Sequence, residues 1–445
     1  MASQKHRDFS RWASLAVSLS AFLTLNIATN AQNSSETTWP AVNASTLATP
    51  SVSVFHFADG GDDLPGRMTT DAAGNFYVAA ELDSSLSASG FAVLKYRFNG
   101  TLQGTYRYKF APGDFGGLAR EVKVDKLGNI YAIGDTFVGG RVVSFTSNGS
   151  QRWTDRFSDS AIALAVDAVG NVYAAGTHVT GNFQSEWVIV KYSSGGRVLW
   201  QKRHTGTAHG DVRLADIQLD PAGNAVVVGT TNIFPSINGD TMTTMKLDSL
   251  GDILWVKDFV AGPSEHHLPL GLAVDRAGSV YVTGVPGAND TSTPPPPFTV
   301  KYDANGSRIF VLQAGGNSIA IDPAGDILLA GGSPSPAGPT AISASKFHPS
   351  GTKVWVTPIA AAQKIVSDAA GNVFVVGSVS NNDSTNPSDY LITKLSSAGK
   401  LQFQSRFNRG DDISDATMDP FGNLLVTGNA LNAQFQHDIF TLRVK

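Results

Sequence analysis

Cysteine is absent from the 445 residues. Disulfides, thiolate metal sites, a thiol nucleophile and a lipid-modified N-terminal cysteine are therefore excluded. Charge is scarce: Asp, Glu, Lys and Arg make up 16% of the chain. Helical heptads are missing. The formal net charge of −4 leaves no basic footprint for nucleic acid. What the chain does have is 45 glycines and a hydrophobic fraction of 42%. That balance suits short strands joined by tight turns. Without disulfides such a fold must be held by packing alone, which a chain of this length can supply.

Lys5, Arg7 and Arg11 precede an uncharged, mostly apolar run, Trp12 to Ala28. The run is short of the roughly 20 apolar residues a spanning helix needs. Small residues, Thr29 and Ala31, then occupy the two positions a signal peptidase inspects. A signal peptide over residues 1–31 is expected, rather than an uncleaved anchor. A loose lead-in over 32–50 follows. The protein is then secreted, periplasmic or on the cell surface, with no transmembrane segment after cleavage. Cleavage would remove three basic residues and one acidic one, leaving a formal charge of −6.

One phrase recurs: an apolar strand ending in Asp, two residues, Gly, a polar residue, then a second apolar strand. Its anchors are Asp71, Asp125, Asp167, Asp220, Asp275, Asp322, Asp368 and Asp419. The mean spacing, about 50 residues, is that of propeller blades. Asp opening a type I turn accepts from the turn's own amides, and Gly three residues later takes positive φ. Turn formation therefore explains these aspartates better than calcium binding does. A second phrase follows each first. A strand ending in Lys and an apolar or aromatic residue leads to a Gly turn and a strand often bearing Trp, as in VIVKYSSGGRVLW (Val188–Trp200). Two hairpins per repeat make a four-stranded blade.

The eighth copy stops after its third strand, DIFTLRVK (Asp438–Lys445), and a lone strand, SVSVFHF (Ser51–Phe57), precedes the first. The expected fold is an all-β, eight-bladed β-propeller of four-stranded antiparallel blades over residues 51–445. The N-terminal strand completes the last blade and removes the free edges.

The stretches AVDAVGNVYAAG (Ala165–Gly176) and GLAVDRAGSVYVTG (Gly271–Gly284) carry a family likeness, as do the Gly-Asp-Asp pieces at Gly61–Asp63 and Gly410–Asp412. Over about residues 51–445 the chain resembles the bacterial SBBP-repeat propellers and, more loosely, the NHL propellers. That family is usually described with seven blades, whereas eight anchors stand here. The resemblance implies an extracytoplasmic or cell-surface protein and supplies no catalytic residues.

Candidate sites follow from the blade order. The strand before each Asp should be innermost, so the loop leading into it and the loop between the second and third strands share one rim. These loops are the least repetitive parts of the chain, and loops on a rigid scaffold are where binding usually lives. Four residues before each anchor stand Arg67, Glu121, Ala163, Asp216, Gly271, Ser318, Lys364 and Asp415. The charged members, Arg67, Glu121, Asp216, Lys364 and Asp415, are ligand-binding candidates at a channel mouth. The plainer reading is solvated charge with internal pairing. His209, Asp211, Glu265, His266 and His267 are metal candidates in two consecutive leading loops, although surface loop histidines fit their spacing better. Asp62, Asp63, Asp411 and Asp412 become neighbours once the ring closes, but calcium wants six or more oxygens. The Gly-x-x-x-Trp outer strands suit packing between blades better than a quinoprotein site.

The expected function is a non-enzymatic binding or scaffold module with a protein or carbohydrate ligand on the loop rim, acting as a monomer. The alternative is a secreted hydrolase, lactonase, lyase or quinoprotein working at the channel mouth. No cofactor is expected, with calcium or zinc the minor alternative.

Overall fold

A computed structural model describes residues 50–82, 90–110, 114, 116–181, 184–205, 212–231, 240–260, 266–287, 296–335, 338–381, 388–407, 412–432, 434 and 436–445. The expected signal segment, residues 1–31, and all but the last residue of the lead-in lie outside them. No helix among the described residues is long and apolar enough to cross a membrane.

Every element among the described residues is a strand, and the strands form eight four-stranded antiparallel sheets. In blade 1 the order from the axis outward is Leu64–Thr70, Phe76–Leu82, Gly90–Tyr96, Leu102–Arg107. The inner strands of consecutive blades neighbour one another around the ring, and that of blade 8, Asp412–Met418, returns to that of blade 1. The eight-bladed propeller expected from the repeat is the fold. Second and third strands are buried on both faces, as in Phe76–Leu82 and Gly90–Tyr96. Each core therefore lies between blades rather than within one. Tyr77, Ala79 and Val93 of blade 1, for example, pack on Val122, Ala132 and Phe145 of blade 2.

In all eight anchor turns Asp Oδ1 accepts from the amides two and four residues on, and blade 2 shows the full set. Asp125 Oδ1 accepts from the amides of Leu127 and Asn129 (both 2.9 Å). Its Oδ2 accepts from Asn129 Nδ2 (2.8 Å) and the Tyr131 hydroxyl (3.0 Å). Gly128, at φ 79°, closes the turn onto Asp125 O. One carboxylate thus satisfies four donors of a tight hairpin.

Adjacent blades are stapled at their outer halves. Lys191 Nζ and Trp200 Nε1 of blade 3 both donate to Ser249 O in the second turn of blade 4, each at 3.0 Å. Lys246 Nζ (3.2 Å) and Trp255 Nε1 (3.1 Å) of blade 4 do the same to Ala304 O of blade 5. The Trp ring lies under the turn glycine of the next blade, where a Cβ on Gly251 or Gly306 would collide with it. Lysine, tryptophan and glycine of the second phrase are thus parts of one joint between blades.

Closure is made by Val52–Phe57, which pairs antiparallel with His437–Val444 in the register Val52↔Val444 to Phe57↔Ile439. Phe55 inserts between blades 8 and 1. Across the seam His56 Nε2 meets Asp438 Oδ2 (2.8 Å) and His437 Nδ1 meets Asp62 Oδ1 (2.8 Å).

Candidate functional site in the central channel

Each inner strand is a sheet edge, so its outward N–H groups have no ladder partner. In six of the eight inner strands the register shifts next to the residue four before the anchor, as between Ala119 and Glu121 or Leu214 and Asp216. A bulge bends the strand and re-aims its side chains. In blades 6 and 7 the strand simply begins at that residue, Ser318 or Lys364. In blades 8, 2 and 6 the side chain at this position caps an edge amide of the next blade. Asp415 Oδ2 accepts from Met68 N (2.9 Å), Glu121 Oε2 from Leu164 N (2.9 Å) and Ser318 Oγ from Ile365 N (3.2 Å). Gly271 has no room for a side chain against Ile319.

The charged members form one network. Arg67 of blade 1 reaches across the channel to Asp216 of blade 4, Nη1 to Oδ1 at 3.1 Å. The same nitrogen lies 3.4 Å from Glu121 Oε2 of blade 2. Lys123 Nζ sits 2.7 Å from Glu121 Oε1, and Lys364 Nζ 3.7 Å from Asp415 Oδ1. Asp216 and then Glu121 raise the Arg67 guanidinium further above its ordinary value. Burial alone would push the Glu121 carboxyl up, but Lys123 and Arg67 outweigh it and hold it below the usual range. Glu121 in turn overcomes burial to raise Lys123. Every one of these shifts fixes the charged form.

All five sequence-derived channel candidates therefore meet in one place. Lys123, two residues before Asp125, was missed. It lies two residues from Glu121 on the same strand, so strand alternation would have placed it on the same side.

The histidine group does not assemble in the same way. His209, Asp211 and Glu265 lie outside the described residues, and His266 opens the inner strand of blade 5 opposite Gly287. His267 departs from the expected surface loop. The inner strand of blade 5 starts earlier than its counterparts, so His267 is a buried strand residue. Its Nδ1 lies 3.1 Å from Asp240 O, and its ring packs on Phe259 and Phe298. Among the described residues no group of three or more His, Asp or Glu is placed to hold a metal ion. The closure aspartates are engaged with different neighbours. Asp62 binds His437, Asp63 Oδ2 accepts from Asp59 N (3.0 Å), and Asp412 Oδ1 accepts from Gln363 Nε2 (2.8 Å). Asp411 lies outside the described residues. Burial raises the Asp412 carboxyl despite that hydrogen bond.

No protein-family model matches the chain, and no curated protein matches it. Solved structures do. Streptogramin B lyase is similar at 10% identity and a TM-score of 0.45, over 88% of this chain and 98% of that one. A protein of unknown function from Dyadobacter fermentans is similar at 10% identity and a TM-score of 0.46, over the same shares. The β-propeller domain of the trilobed protease from Pyrococcus furiosus matches at 7% identity and a TM-score of 0.44, over 74% of this chain and 95% of that one. Likeness of this size concerns the propeller fold and says nothing of activity.

Proposed function

We propose that the protein is a non-catalytic, extracytoplasmic binding or scaffold propeller. Its protein or carbohydrate ligand docks on the rim formed by the loops leading into the inner strands and those joining second to third strands. The channel network carries this reading. A general acid or base works best with a pKa near the operating pH. Here Arg67 and Lys123 are driven up and Glu121 down, away from neutrality. Arg67, Glu121, Lys123, Asp216, Lys364 and Asp415 find their counter-charges in one another inside the ring, which favours a channel that braces the blades and leaves recognition to the rim.

The test is a thermal-shift screen against sugars, lactones, pyrroloquinoline quinone, calcium, zinc and a chelator, followed by assays for turnover. A ligand at a hundred times its Kd adds about 2.7 kcal/mol of stability. A shift with a carbohydrate, unaffected by Glu121→Gln or Asp216→Asn, supports the reading. Specific turnover abolished by either substitution overturns it in favour of a channel-mouth enzyme.

A further inference from the structure

The rim opposite those loops has a character of its own. It is built from the anchor turns and the turns between third and fourth strands. Five of these turns hold up large apolar side chains that are 51–84% exposed: Phe98, Leu127, Val169, Leu250 and Phe421. They are not scattered around the ring. Phe421 belongs to blade 8 and Phe98, Leu127, Val169 and Leu250 to blades 1 to 4, so they trace one continuous arc of five blades. The position equivalent to Leu127 is alanine in blades 5, 6 and 7 (Ala277, Ala324 and Ala370) and also in blades 1 and 4 (Ala73 and Ala222), where Phe98 and Leu250 of the other turn supply the apolar tip instead. Phe98 and Phe421 meet edge to face at 6.4 Å, bridging the seam between blades 8 and 1.

Charge on this rim runs against that of the protein. Arg97, Lys126, Arg197, Arg276, Lys353 and Lys400 are all exposed on or beside its turns. None of the six makes an ion pair with a described residue. The turn aspartates are recessed, held by their own amides, and Asp252 is the one exposed acid among the described turn residues. A chain of net charge −4 thus presents a cationic rim studded with apolar tips. Cation and apolar tip even stand side by side in Arg97-Phe98 and Lys126-Leu127.

We propose that this turn rim docks on an anionic phospholipid bilayer, its apolar tips entering the headgroup region while the cations meet lipid phosphates. The inference stands apart from the ligand reading above, and it would leave the loop rim facing away from the membrane.

All eight sheets and the closing strand lie within residues 51–445, so residues 32–445 can be tested without the apolar leader. The experiment is flotation with vesicles of phosphatidylcholine alone or mixed with phosphatidylglycerol. Flotation is expected with the mixed vesicles and should weaken as salt rises. Leu127→Ser/Val169→Ser/Leu250→Ser should cut partitioning by roughly tenfold or more. Arg97→Glu/Lys126→Glu/Arg197→Glu, an independent set of surface changes, should do likewise. Val179→Ser, at an exposed position on the opposite rim, should change nothing. No flotation, equal flotation by both variant sets, or equal loss with Val179→Ser would each overturn the proposal.

Discussion

Arg67 carries the largest share of the channel's electrostatics, because its guanidinium neutralises carboxylates from two other blades. Breaking a buried pair typically costs about 3–5 kcal/mol. The Arg67 side chain keeps 34% of its exposure, so screening lowers the expectation for Arg67→Met to roughly 1–3 kcal/mol. The pH dependence has a definite sign. The Glu121 carboxyl is depressed in the folded state, so its contribution is present above its ordinary pKa and is lost as pH falls through the folded value. With Arg67 gone, one of its two cations is missing, and acid destabilisation should begin at higher pH than in the wild type. Melting curves across the acidic range would reveal the displacement. A second residue-scale case separates strain from collision. Gly196 and Gly223 both take positive φ, 89° and 82°. A Cβ on Gly196 would strike the Trp153 ring at 2.6 Å, whereas one on Gly223 meets nothing within 4 Å. Gly223→Ala should cost about 1–2 kcal/mol, the left-handed penalty alone, and Gly196→Ala clearly more. In a Trp153→Ala background that excess should vanish, which a double-mutant cycle by urea unfolding can measure.

At the scale of the element, each blade depends on its joint with the next. Lys246, only 2% exposed, lies 2.8 Å from Asp220 Oδ2 while reaching into blade 5. Burial would raise the Asp220 carboxyl, but hydrogen bonds from Lys246 and Asn224 hold it low. Lys246→Met should therefore cost about 3–5 kcal/mol near neutrality. The penalty should shrink in acid, where Asp220 can take a proton, and Asp220→Asn added to it should recover part of the loss. Equal penalties at neutral and acidic pH would mean the lysine acts through packing alone. The elements themselves were legible because Asp, Gly, Lys and Trp recur at a fixed period. Their partners were not. Lys191 and Ser249 stand 58 residues apart, and periodicity names the residues of a joint without saying which carbonyl of the next blade receives them. His267 escaped for a related reason: the anchor phrase gives a strand's end, not how far back it extends.

At the scale of the whole molecule, blade count and closure could be read from eight anchors, a truncated last copy and an orphan first strand. The reach of Arg67 to Asp216 could not. A contact between blades 1 and 4 depends on how narrow the ring is, which no repeat spacing reports. The closing strand carries its own prediction. Removing residues 50–57 should expose the edge of His437–Val444 to other chains, lower the melting temperature and yield dimers or larger species by light scattering. A monomer that melts as the wild type does would show that the ring holds without its clasp.

That clasp also imposes an order on biosynthesis. His56 and Asp438 meet across 382 residues of chain. Blades 1 to 7 can each complete a sheet as they are made, but the strand synthesised first waits for a partner synthesised last. Until then it is an apolar ribbon with both edges bare, the kind of segment that other chains capture. A nascent ring thus stays open to capture until its eighth blade has been made, and the burden on chaperones should fall on the closing strand.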